Sequence, residues 1–108
     1  METLAKNLKK RAEQLKLSHA EIARRIGLSE RRYAHYVAGR NEPDLGTLGR
    51  IAQTLGTTPN ELLGFGSDTK PSKRSLLKDR LNVAAMAMDE RQLEMTVIQA
   101  EAVAATFS

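Results

Sequence analysis

Ser18, His19 and Glu21 stand within four positions of one another and offer, by type, a hydroxyl nucleophile, a base and a carboxylate. The spacing works against catalysis. Neighbours on one helical turn point apart, and a serine three residues ahead of a glutamate is a capping box, which commits the serine oxygen to backbone amides. The chain has no cysteine, its two histidines, His19 and His35, lack a metal-binding spacing, and no glycine-rich phosphate loop precedes a helix. The inventory argues against an enzyme and calls for no cofactor or metal. A second polar group then stands out: Glu30, Arg31, Arg32 and His35. His35 follows Arg31 by four residues and so shares a helix face with it.

Two short helices must carry these side chains. Ser18 caps the first, whose apolar face is Ile22, Ala23 and Ile26, and Gly27 ends it by taking a left-handed conformation cheaply. Ser29 caps the second, which buries Tyr33, Tyr36 and Val37 and ends at Gly39. Helices at about 19–26 and 30–38 around a tight turn make a helix-turn-helix, though the same spacing also suits an ordinary helical hairpin.

The flanks continue the pattern. Leu4, Leu8, Ala12 and Leu15 step by three or four, predicting a first helix over about 3–16 with Thr3 as its cap. Lys6, Lys9, Lys10 and Lys16 lie on its polar side and read as a solvated face, one or two of them being candidates for contact with an anion such as phosphate. Asp44 caps a fourth helix over about 45–55 with Leu45, Leu48, Ile51, Ala52 and Leu55 inward, and Thr58-Pro59-Asn60-Glu61 opens a short fifth.

With these flanks, the stretch resembles the lambda-repressor/Cro-type helix-turn-helix family, also called the XRE family. The matching residues are Arg11, Leu17-Ser18, Glu21-Ile22-Ala23, Ile26-Gly27-Leu28-Ser29, Gly39-Arg40-Asn41-Glu42-Pro43, Leu45, Thr47-Leu48, Ile51-Ala52, Leu55-Gly56 and Pro59-Asn60-Glu61-Leu62-Leu63. They run in unbroken register from about residue 3 to 64 and leave the last forty or so residues uncovered. His19 departs from the glutamine usual at its position. Gly46 and Gly49 replace better helix formers and predict a weaker fourth helix.

The resemblance implies a five-helix, all-α domain over residues 1–66 that binds double-stranded DNA. By matched position, Glu30, Arg31 and His35 face base edges. Arginine suits guanine O6 and N7 as a two-pronged donor, and glutamate accepts from cytosine N4. Ser18, His19, Ser29, Arg32, Arg40 and Asn41 are implied phosphate contacts, and Arg11 a structural ion-pair residue. The implied activity is transcriptional regulation, by a phage- or prophage-type repressor that occupies a pseudo-palindromic operator and excludes polymerase.

Gly64 to Pro71 concentrates glycine, serine, aspartate and proline and reads as a linker. Residues 67–108 form a helical extension, either a hairpin of helices at about 72–88 and 90–106 or one long helix. They carry more apolar surface than a hairpin needs. One row, Leu76, Val83, Met95, Ile98 and Ala102, is assigned to dimerisation, since a second subunit is the natural cover. The alternative is an antitoxin-type regulator whose C-terminal helices bind a partner toxin.

Charge is placed to match. Residues 1–66 hold 11 Lys and Arg against 7 Asp and Glu, a net +4, whereas residues 67–108 hold 6 of each and are neutral. The whole +4 therefore lies where phosphate binding is expected. No apolar run approaches the roughly 20 residues of a membrane span, and the first residues lack the layout of a signal peptide. The expectation is a cytoplasmic protein.

Overall fold

The computed structural model describes residues 2–65 and 70–106. Residues 66–69, the centre of the expected linker and the expected domain boundary, lie outside the described residues. The described residues form seven α-helices in order: α1 Glu2–Leu15, α2 His19–Ile26, α3 Glu30–Val37, α4 Leu45–Thr54, α5 Pro59–Leu62, α6 Lys73–Met86 and α7 Glu90–Thr106. Among the described residues there is no strand.

Helix starts are set by local capping. The Ser18 Oγ accepts from the Glu21 amide at 3.1 Å, Ser29 Oγ from Arg32 at 3.1 Å, Asp44 Oδ1 from Thr47 at 2.7 Å and Ser72 Oγ from Ser75 at 3.1 Å. Among the described residues only Asp89 and Gln92 form a fully reciprocal box, the Asp89 amide donating to Gln92 Oε1 and the Gln92 amide to Asp89 Oδ1. This box separates α6 from α7, so the extension holds two helices rather than one. At the first expected box only half forms, because the Glu21 carboxylate turns away to Arg24 and Arg25. Thr3 lies inside α1 and is not its cap.

The core gathers one face of each of α1 to α5. Leu4, Leu8, Ala12 and Leu15 of α1 meet Ile22, Ala23 and Ile26 of α2, Tyr33, Tyr36 and Val37 of α3, Leu48, Ile51 and Ala52 of α4, and Leu55 and Leu62. Truncating one of its buried leucines to alanine costs about 2–5 kcal/mol. Two expectations fail here. Leu45 is 86% exposed, because the first inward position of α4 is taken by Thr47, which is buried. Val83, assigned to dimerisation, is only 3% exposed and belongs to the core of its own subunit.

The reason for the second correction is Gly56. A Cβ there would stand 3.0 Å from Val83 Cγ2, so the missing side chain is the socket into which Val83 fits. Arg11 secures the same junction. Its Nε donates to the Leu55 carbonyl at 2.8 Å, its Nη2 to the Gly56 carbonyl at 3.2 Å, and its Nη1 pairs with Asp79 of α6 at 3.1 Å. The structural ion pair implied for Arg11 thus reaches into the extension.

Beyond α6 the packing stops. α7 contributes no buried residue, and Leu93, Met95, Val97, Ile98 and Val103 are all exposed.

Candidate nucleic-acid interface

The helix-turn-helix is held by three local devices. Gly27 adopts φ +86°, and its amide donates to the Ala23 carbonyl at 3.0 Å while the Leu28 amide donates to the same oxygen at 2.9 Å. This double closure stops α2 and turns the chain within two residues. Ser29 restarts it. Tyr33, Tyr36 and Val37 then fix α3 by its inner face, leaving Glu30, Arg31 and Arg32 exposed and His35 half-buried.

The expected base-reading side chains fall together. Glu30, Arg31 and His35 lie on the outward side of α3, the first two exposed and His35 half-buried, and their side chains make no hydrogen bond or ion pair with other described residues. Arg40 and Asn41, in the loop after α3, are likewise exposed and without a side-chain partner among the described residues. Their backbone is anchored: the Arg40 amide donates to the His35 carbonyl at 2.9 Å. Arg32 differs from the rest. Its Nε donates to Tyr36 Oη at 3.0 Å, which pins the guanidinium along α3.

At the other end of the motif, Lys9, Glu13, Lys16, Ser18 and His19 line a basin of about 460 Å³ beside the start of α2. The free amides of a helix N-terminus and two lysines make this a favourable place for an anion. His19, where the family uses glutamine, is half-buried, its ring edge-on to Tyr33 with centroids 6.1 Å apart. Ser18 and Ser29 both spend their oxygens on caps, which leaves each hydroxyl proton as the group able to reach a phosphate.

Two titratable groups are perturbed at the edges of this surface. Burial raises the Tyr33 phenol above its ordinary range, and its Oη finds no hydrogen-bond partner among the described residues. Asp44 is held below the usual carboxylate range, first by the Thr47 backbone amide it caps, with Arg32 and Arg50 adding to the effect.

Sequence reasoning missed Lys16 as a turn residue. It adopts φ +60° just after α1, the position where a glycine is the usual signal, and the sequence offers none.

Comparison with known proteins agrees with this geometry. A helix-turn-helix family model matches residues 8–62, just over half of the chain. No curated protein matches it. Among solved structures, the chain is similar to a crystal structure of a transcriptional regulator from Listeria innocua, with a TM-score of 0.53 and 21% sequence identity, over 96% of this chain and 94% of that one. The likeness extends past the residues that the family model matches. The motif, its flanking helices and the family match lead to one conclusion: the chain belongs to the XRE-type helix-turn-helix family of DNA-binding transcriptional regulators.

Proposed function

We propose that the protein is a sequence-specific repressor of phage or prophage type, acting in the cytoplasm as a homodimer on a pseudo-palindromic operator. The observation that carries this reading is the flank of α3. Glu30 and Arg31 are exposed and His35 half-buried, all three without a side-chain partner among the described residues, on a helix whose opposite face is locked into the core. Donors and acceptors held rigidly but left unsatisfied suit base edges in a major groove. Ser18, His19, Ser29, Arg32, Arg40 and Asn41 surround that flank as phosphate contacts that set its register.

Residues 1–66 read DNA and residues 67–108 join two copies. The dimer surface is Leu76, Met95, Ile98 and Ala102, with exposed Leu77 and Leu81 of α6 taking the place of Val83. Two-fold symmetry sets half-site centres about 34–36 Å apart.

The test is selection of bound duplexes from a random pool, followed by titration of the selected site at fixed salt. A palindromic consensus bound by two chains supports the reading; binding without sequence preference overturns it. The exposed apolar face of α7 also favours a second reading, in which the extension captures a toxin protein. Co-purification of a stoichiometric partner that dissolves the homodimer would favour that reading.

A further inference from the structure

A groove of about 490 Å³ opens between α2, α4 and α6. Val83 and Met86 form its apolar floor, Gln53 and Thr54 one wall, and Arg24 and Arg25 a basic rim. The rim is only partly neutralised, because both guanidiniums share the single carboxylate of Glu21. The subunit's own α7 starts three residues beyond Ala87, at the groove's edge, yet no α7 residue lines it.

α7 has the complementary pattern. It carries three glutamates and one arginine over Glu90–Thr106. At 100° per residue, Glu90, Glu94 and Glu101 fall along one edge of the helix, beside the apolar row Met95, Ile98 and Ala102. An acidic edge next to an apolar row matches a basic rim next to an apolar floor.

We infer that this groove receives α7 of a second copy of the chain, with Ile98 seated over Val83 and Met86 and with Glu94 and Glu101 facing Arg24 and Arg25. The inference rests on the dimer reading and adds to it: each subunit lends its last helix to the other, so the partner's α7 packs against α2 of the DNA-reading motif itself. Charge complementarity selects the occupant, since an acidic helix with an apolar stripe is what the groove lacks and what the chain leaves uncovered.

The experiment is sedimentation equilibrium of the full chain as wild type, Arg24→Glu, Glu94→Arg and the double variant. Arg24 is largely exposed and α7 buries nothing in its own subunit, so neither change disturbs the fold, which circular dichroism checks. Each single variant is expected to weaken the dimer about tenfold or more, and the double variant to recover most of the loss. Ala100→Lys, on the side of α7 opposite Ile98 and Met95 and exposed, is expected to leave the dimer unchanged. A dimeric wild type unmoved by both single variants, or a double variant that fails to recover, overturns the seat while leaving the dimer standing. A wild type that stays monomeric at tens of micromolar overturns both.

Discussion

Arg11 and Asp79 meet at 3.1 Å across the junction between the first helix and the sixth, through an arginine side chain that is 11% exposed. The pair ties the C-terminal extension to the DNA-reading domain at the corner where α4 ends. Removing Asp79 leaves Arg11 with the Leu55 and Gly56 carbonyls and Gln14 Oε1, whereas removing Arg11 strips all of these contacts at once. Asp79→Ala is expected to cost about 1 kcal/mol, and Arg11→Ala about 3 kcal/mol, most of it from buried groups left unpaired. Urea denaturation of the two variants checks the order; equal losses would show that the ion pair dominates.

Tyr33 gives the opposite case. Its ring is fully buried but its hydroxyl has no partner among the described residues. Tyr33→Phe removes an unsatisfied polar group without opening a cavity and is expected to be neutral or stabilising by up to about 1 kcal/mol. Tyr33→Ala is expected to cost about 3–5 kcal/mol. Thermal melts of both distinguish a packing role from a hydrogen-bonding one.

Gly49 sits inside α4 with nothing within 4 Å of where a Cβ would stand. Alanine fits there and removes the entropic cost of glycine in a helix. Gly49→Ala is expected to stabilise by about 0.5–1 kcal/mol. A melting temperature that falls would show that the smaller residue is needed for contact.

Several helix starts were legible because capping is local: Ser18, Ser29 and Asp44 announce their helices within three residues, whereas the break between α6 and α7 was left open and Thr3 was misread as a cap. So was the outward side of α3, since Tyr33, Tyr36 and Val37 fix by spacing which side is buried. What stayed hidden depends on surfaces far apart in the chain. Whether Val83 faces inward is decided by the missing side chain of Gly56, 27 positions earlier in the chain, and no periodicity in α6 reports it. On α6, Leu77 and Leu81 are left exposed while Val83 is buried. Leu45 was misread for a related reason, because apolar spacing cannot tell that Thr47 takes the inward site.

Asp44 gives stability a pH dependence with a definite sign. Its folded carboxyl titrates below the ordinary value of 3.8, so the charged form is favoured by folding. The contribution is complete above that value and is lost as pH falls through the lower, folded one. Asp44→Asn keeps a cap but removes the charge, and is expected to flatten the acid limb of a stability–pH profile. An unchanged limb would assign acid sensitivity elsewhere.

Arg31 separates reading from holding. Arg31→Ala is expected to relax preference at one base position at a cost of about 1–3 kcal/mol, while Lys9→Ala weakens all sites alike and lowers the salt slope. Competition between the preferred site and single-base variants measures both. A preserved preference in Arg31→Ala would move base recognition to Glu30 or His35.

The isolation of α7 also sets a lifetime. A 17-residue helix without tertiary support keeps its hydrogen bonds only as well as its own capping box and alanines allow, which in water is marginally. In a lone subunit its amides exchange quickly and its backbone opens to proteases, while α1 is protected by the global fold. Once α7 is covered, that opening is suppressed by mass action, so the survival of each chain rises with the number of chains present. Dilution then removes the protein twice over, first by dissociation and then by degradation of what has dissociated.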